Sequence, residues 1–297
     1  MTINRRTFIT NTTMAGAGLF FLRTEVVEAM KRKGSFIQTG ICTSLSNHKL
    51  VTEAGYPYIE ESVQSFLDPL NEEAAFITKL DQARSAGITI PACNVFLPGK
   101  LKSVGPDAVH DEILDYAETA FSRAKMAGVG IIVFGSGASR SIPDGFPQEK
   151  AREQFIELCR RMGPLARRQG ITVVLEPLNS GECNFLNSVA EGGEMVKEIN
   201  HPNIRLLADI FHMLREKEGP ESILRYGKYI KHTHIAENRD RSAPGVNGED
   251  FTPYIKALFD INYKGMLSVE CSWKDINKEA GPALVYLRQQ IAASEAL

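Results

Sequence analysis

The chain has 297 residues, of which 43% are hydrophobic, and a formal net charge of −2. This length and apolar content suffice for a large buried core, while the lack of a basic excess argues against a nucleic acid or an anionic membrane surface as a partner. The five cysteines are scattered without any C-x-x-C pair, which argues against a disulfide framework.

The first predicted element is an export signal. Residues 4–8 read NRRTF, and this arginine pair precedes an Ala- and Gly-rich apolar stretch of about a dozen residues, too short to span a bilayer. The pattern resembles a twin-arginine signal with a small-residue cleavage site ending at Ala29; the alternative is an amphipathic N-terminal helix. No cysteine lies near Ala29, so no stable membrane anchor is indicated. We therefore expect residues 1–29 to direct export to the periplasm and residues 30–297 to form the folded domain.

From Phe36 onward, strand-like and helix-like segments alternate. Short β-rich apolar runs follow glycines that end helical segments, at Gly87, Gly128, Gly170 and Gly265. Glycine just after a helix can adopt the left-handed conformation that ends it. Counting these four, eight strand-like runs begin near Phe36, Tyr58, Ile88, Ile131, Ile171, Ile204, Tyr229 and Met266.

This alternation predicts an α/β protein with a parallel sheet, and eight units predict a single-domain (β/α)8 TIM barrel. The alternative is an open doubly wound sheet, which normally carries G-x-G-x-x-G after its first strand. The first strand here, FIQTGICTSL, lacks that motif.

Potential metal ligands end the last four predicted strands: Glu176, Asp209, His234 and Glu270. Carboxyl ends of barrel strands converge on one face, so these side chains should meet. Three carboxylates and one imidazole suit Mn²⁺, Mg²⁺ or Co²⁺ better than a structural Zn²⁺, although Zn²⁺ also accepts such ligands. We predict one divalent metal ion there; the alternative is salt bridging to Lys or Arg. His232 shares a strand face with His234 and is interpreted as a supporting or core residue.

Loops after strands two, three and four add candidates for substrate binding. Glu60 or Glu61 follows strand two, and we expect one of them to face the barrel mouth. Asn94 follows strand three. Arg140 lies in the glycine-containing loop FGSGASRSIPDGF, which can hold an anion; we favour a contact to a neutral sugar or a mobile lid.

The segments that bear these residues resemble the xylose-isomerase-like barrels, in the branch that holds ketose 3-epimerases and hydroxypyruvate-isomerase-type enzymes. The resemblance rests on LEPLNSGECNFLN (175–187), LLADIFHM (206–213), HTHIAENR (232–239) and SVECSW (268–273). It implies that Glu176 and Glu270 also form the catalytic acid/base pair and that Glu182, His212 and Arg239 contact substrate. Arg239 is one position closer to the ligand histidine than the arginine of the family pattern.

The resemblance implies a divalent-metal-dependent sugar isomerase or epimerase, which removes a proton next to a carbonyl of a small sugar or keto-sugar through a metal-stabilised enediolate. The export signal favours one alternative, a 3-keto-glycoside lyase or hydrolase at the same site. An endonuclease-IV-like phosphodiesterase would need extra histidines at strands two and three, where this chain has acids and Asn94. A non-catalytic sugar-binding barrel is argued against by the intact pair of glutamates. A homo-oligomer is left open.

Overall fold

The structure is a computed structural model that describes residues 37–297. The predicted export signal at residues 1–29 lies outside the described residues and stays a prediction. Among residues 37–297, the helices are all too short or too polar to cross a membrane.

Eight strands form one closed barrel in chain order, and every neighbouring pair is parallel. The strands are β1 Gln38–Cys42, β2 Tyr58–Ser62, β3 Thr89–Asn94, β4 Ile131–Phe134, β5 Thr172–Leu175, β6 Ile204–Asp209, β7 Ile230–Ile235 and β8 Met266–Val269. The pairing of β1 with β8 closes the barrel. This confirms the predicted (β/α)8 fold, and the largest error in a strand start is at β1, predicted near Phe36 and observed at Gln38.

Helices surround the barrel and connect its strands. Those in the described residues are α1 His48–Ala54, α2 Glu73–Ala86, α3 His110–Ala127, α4 Gly137–Arg140, α5 Gln148–Gln169, α6 Val189–Ile199, α7 Ile210–Arg215, α8 Glu221–Tyr226, α9 Thr252–Asp260 and α10 Ile276–Glu295. Shorter 3-10 turns cover Leu45–Asn47, Gly227–Tyr229 and Arg239–Arg241, and a π-turn covers Val63–Leu67.

Three of the four predicted glycine caps are present. Gly87, Gly128 and Gly170 end α2, α3 and α5 with φ values of 66°, 75° and 74°. Gly265 does not end a helix, because α9 already ends at Asp260 and Asn262 takes the left-handed conformation, with φ of 55°.

The barrel interior is partly polar. A small apolar cluster on β4, β5 and β6 consists of Val133, Val174 and Leu207, and it is separate from the larger cluster formed by strand and helix side chains. On β2, Glu60 contacts His232 and His234 of β7. Because β2 and β7 are not neighbours, these contacts cross the interior. Both β7 histidines therefore point inward, and their pairing with a carboxylate offsets the cost of burying them.

Candidate active site

The four predicted metal ligands lie together at the carboxyl ends of β5 to β8. Asp209 ends β6 and is in register with His234 of β7, while Glu176 and Glu270 directly follow β5 and β8. One ligand atom from each residue lies within 4.8 Å of those from the other three. The barrel therefore converts four residues that are far apart in sequence into one compact group.

His234 Nδ1 is the point on which two of the carboxylates converge. It lies 3.0 Å from Glu176 Oε1 and 3.2 Å from Glu270 Oε2. Its other ring nitrogen, Nε2, lies 2.9 Å from Glu60 Oε1. A carboxylate only accepts hydrogen bonds, so the carboxylates at both nitrogens favour the doubly protonated ring and, against burial, raise the pKa of His234 well above its usual value. A cation bound at Nδ1 would replace the proton there, while Glu60 keeps the proton on Nε2.

Glu60 was expected to contact substrate, and the structure corrects this role. Its side chain is fully buried, and its second oxygen lies 2.6 Å from His232 Nε2. With both oxygens committed to histidines below the mouth, Glu60 can orient His234 but has no surface to offer a sugar. Glu61 instead accepts from the backbone N–H groups of Leu45 and Ser62.

Asp209 and His212 face each other because β6 runs directly into α7. Asp209 Oδ1 accepts from the Phe211 N–H at 2.8 Å, which caps the helix and leaves Oδ2 buried with no hydrogen-bond partner among residues 37–297. One helical turn later, His212 Nε2 lies 3.4 Å from that free oxygen. The Asn179 N–H donates to His212 Nδ1 at 3.1 Å, so the proton of the neutral ring is on Nε2. Burial lowers the pKa of His212 and so favours this neutral form.

Arg140 lies beneath the site rather than in it. It is 0% exposed, and its guanidinium donates to the carbonyl oxygens of Phe134 at 3.0 Å and Glu176 at 2.6 Å. The predicted substrate contact is therefore corrected: Arg140 fastens the ends of β4 and β5. The neighbouring backbone is close as well, since a Cβ on Gly135 would lie 2.1 Å from Glu176 Oε2.

Arg239 lies outside the site, and Arg241 lies inside it. The Arg239 side chain is 78% exposed and its ion-pair partner is Asp240, at 3.7 Å. Asp240 and Arg241 have φ values of 59° and 50°, and these left-handed residues turn the chain so that Arg241 faces the carboxylates. Arg241 Nη2 lies 2.6 Å from Glu270 Oε2 and 3.7 Å from Asp209 Oδ2. The substrate-binding role of Arg239 stays a prediction, while Arg241 is an arginine that contacts the candidate ligands.

Two further residues predicted to contact substrate lie near Glu270 and Arg241. Asn94 donates from Nδ2 to Glu270 Oε1 at 2.8 Å. Glu182 Oε1 accepts from Asn179 Nδ2 at 2.8 Å and lies 3.5 Å from Arg241 Nη1. The Glu182 side chain is 41% exposed, which places it at the edge of the site where a ligand can reach it.

The carboxylates have unequal environments. Burial, with repulsion from Glu270 and Asp209, raises the pKa of Glu176 despite its hydrogen bond to His234. Burial also raises the pKa of Asp209 to about 6. At Glu270 burial is outweighed by His234 and Arg241, which bring its pKa down to about 2. Three clustered acids with a buried, unpartnered Asp209 Oδ2 fit a divalent cation, which would relieve this repulsion.

A second group of potential ligands fits a metal less well. Cys42, Glu60 and His234 also place one ligand atom each within 4.8 Å of one another. However, both Glu60 oxygens already accept hydrogen bonds from histidines, and burial raises the pKa of the Cys42 thiol well above its usual value. Metals bind the thiolate, so the group of Glu176 and its partners is the better candidate.

Comparison with known proteins points to one family. The family model described as "Xylose isomerase-like TIM barrel" matches residues 49–290. The L-ribulose 3-epimerase of Methylomonas sp. strain DH-1 is 28% identical over 269 residues, covering 80% of this chain and 88% of that protein. The 3-dehydro-D-guloside 4-epimerase of Escherichia coli K12 is 28% identical over 153 residues, covering 50% and 58%.

Solved structures share the same fold. A D-psicose 3-epimerase from Clostridium cellulolyticum H10, crystallised with D-tagatose, superposes with a TM-score of 0.76 at 21% identity, covering 86% of this chain and 99% of that one. The homologues thus include ketose 3-epimerases and a 4-epimerase, which supports a sugar epimerase.

Proposed function

The chain belongs to the xylose isomerase-like TIM barrel family, and on that basis we propose that it is a divalent-metal-dependent epimerase of a ketose or keto-sugar. One observation supports this above the others: two carboxylates, Glu176 and Glu270, flank His234 Nδ1 at 3.0 and 3.2 Å from strands that are not neighbours. Epimerisation needs one group to remove a proton from a carbon and another to return a proton to its opposite face. Two acids that approach one position from two non-neighbouring strands could meet that need.

The other polar groups of the site position the sugar. His212 presents its Nε2–H beside Asp209, and Arg241 holds a guanidinium beside Glu270, so both can donate to substrate oxygens. Asn94 fixes the Glu270 carboxylate from the opposite side through Oε1. Glu182, at the edge, can accept from a sugar hydroxyl.

Glu176, Asp209, His234 and Glu270 would hold the metal ion, with Mn²⁺ as the first candidate and Mg²⁺ or Co²⁺ as the others. A bound divalent ion supplies Lewis acidity that polarises a sugar carbonyl and so acidifies the neighbouring C–H. The protein's part is to keep Glu176 and Glu270 at that carbon and to donate from His212 to the oxygen that gains charge.

Hydrogen exchange from D₂O tests this function. Mn²⁺-loaded protein is incubated with ketoses and 3-keto-glycosides, and deuterium uptake is read by mass spectrometry. We expect uptake at one carbon beside the carbonyl together with the epimeric product, and neither in Asp209→Asn. Uptake with loss of a leaving group would reassign the protein as a lyase, and no uptake with metal demonstrably bound would contradict the proposal.

We also propose that the twin-arginine segment directs export of the protein to the periplasm. There it would meet free or oxidised sugars rather than sugar phosphates. N-terminal sequencing of the protein isolated from the periplasm of its host is expected to begin near Met30. Cytoplasmic protein that retains residues 1–29 would contradict this.

A further inference from the structure

Arg241 contacts the same carboxylate oxygens that a metal ion would use. Its Nη2 lies 2.6 Å from Glu270 Oε2, which also faces His234 Nδ1 at 3.2 Å. The same Nη2 lies 3.7 Å from Asp209 Oδ2, the buried oxygen that accepts no hydrogen bond from the described part of the chain. A guanidinium and a divalent ion are therefore alternative counter-charges for one set of oxygens.

The backbone of Arg241 is fixed, and its Nε donates to the Glu270 carbonyl oxygen at 3.2 Å, so a change of partner involves the terminal Nη1 and Nη2 groups. The Arg241 carbonyl accepts from the Ser272 N–H at 2.8 Å. The loop around it is closed by Glu237, whose backbone N–H bonds to the Ser242 carbonyl at 2.9 Å. The buried Glu237 carboxylate also accepts from the N–H groups of Gly245 and Gly248 at 2.8 and 3.0 Å.

A second position for the guanidinium lies within reach. Arg241 Nη1 is 3.5 Å from Glu182 Oε1, and the guanidinium carbon is 4.7 Å from the centre of the Phe211 ring. Glu182 is at the exposed edge and is not one of the four ligands. The Arg241 side chain is 23% exposed, so it can move toward the edge without crossing a packed core.

We propose that Arg241 competes with the metal ion for Glu270 and Asp209, and that metal binding releases its guanidinium toward Glu182 and the substrate. Metal binding would thus free the Arg241 guanidinium to bind the sugar. Conversely, Arg241 would lower the affinity of the site for the metal ion. This inference rests on the metal-binding part of the proposed function but not on the identity of the sugar.

Direct metal titration tests the competition without any substrate. Isothermal titration with Mn²⁺ is expected to show at least about fivefold tighter binding to Arg241→Met than to wild type, because two like charges a few ångström apart repel even when partly solvated. Arg241→Lys, which keeps the charge, should stay closer to wild type. Arg239→Met removes the same charge from the same turn without touching the ligands and should leave the affinity unchanged.

The outcomes separate this inference from the function on which it rests. Unchanged or weaker Mn²⁺ binding by folded Arg241→Met, with normal binding by wild type, would overturn the competition alone. No binding by wild type would overturn the metal site and the competition together. A crystal structure with Mn²⁺ bound should show the Arg241 to Glu270 contact lengthened beyond hydrogen-bond range, and retention of the 2.6 Å contact beside the ion would also overturn the inference.

Discussion

Neighbouring acids have opposite tasks at the end of β2. Glu60 binds the histidines of β7 from inside the barrel, whereas Glu61 accepts from the N–H groups of Leu45 at 2.6 Å and Ser62 at 2.7 Å. The sequence could not choose between them, because a bulge-like register shift between Tyr58 and Glu60 changes which side chain faces inward. Only the cross-barrel contact reveals Glu60 as the supporting residue.

Glu60→Gln is expected to weaken Mn²⁺ binding by about 10–100-fold, since an amide has one acceptor oxygen and can no longer accept from both His234 and His232. Isothermal titration measures this. Glu61→Gln is the matched control, because it changes the adjacent carboxylate without touching a histidine. Equal losses in both variants would show that Glu60 acts only through general stability.

His212 provides a second prediction, because its two ring nitrogens have separate partners. Nδ1 accepts from Asn179, and Nε2–H faces Asp209 and the site. His212→Asn keeps an acceptor near the Nδ1 position but has no group near Nε2. It should lower kcat/KM by about 10–100-fold, which is the value of one hydrogen bond to a developing charge. His212→Gln places an N–H near the lost Nε2 and should retain more activity.

Steady-state kinetics with the sugar that exchanges deuterium provides the measurement, and Mn²⁺ affinity should stay within about twofold in both variants. If the Gln variant is no better than the Asn variant, Nε2 is not the group that acts on the substrate.

At the scale of elements, strand ends were predictable and loop conformations were not. Apolar runs and glycines located the strands, and the rule that carboxyl ends converge then placed Glu176, Asp209, His234 and Glu270 correctly as one cluster. Arg241 was missed because its position depends on two consecutive left-handed residues that are not glycine, a conformation that no sequence pattern announces. Arg140 was misassigned for a related reason: after β4 the chain forms α4, which turns the guanidinium back under the sheet.

The loop after β7 depends on one buried carboxylate. Glu237 is 0% exposed and accepts from the N–H groups of Gly245, Asn247 and Gly248 at 2.6–3.0 Å. Glu237→Gln replaces one carboxylate oxygen with an NH₂ group that would face N–H donors. We therefore expect the free energy of unfolding to fall by about 1–3 kcal/mol. Amide hydrogen exchange in residues 238–249 should accelerate more than elsewhere.

Glu249→Gln is the control for this loop, since the Glu249 carboxylate accepts a longer bond, from the Asn238 N–H at 3.3 Å. It should leave both the unfolding free energy and the exchange pattern near those of wild type. Uniform acceleration across the barrel in Glu237→Gln would mean that the carboxylate supports the whole fold rather than this loop.

At the scale of the molecule, the candidate metal site draws its ligands from four consecutive strands, which make up half of the barrel. Its four ligands come from β5, β6, β7 and β8, while β2 and β3 contribute through Glu60 and Asn94. Because these ligands converge, negative charge is concentrated at one end of the barrel. A cation bound there should therefore stabilise the native state in addition to any role in catalysis.

Mn²⁺ at about 100 times its Kd should add about 2.7 kcal/mol to the free energy of unfolding, because it binds only the folded cluster. For a domain of this size that corresponds to a rise in Tm of about 5 °C, measured by circular dichroism. Asp209→Asn should lose this rise while keeping its metal-free Tm, since asparagine still caps α7 and removes one of the repelling charges. A rise of equal size in Asp209→Asn would place the stabilising ion elsewhere, and a lower metal-free Tm would mean that the Asp209 charge itself supports the fold.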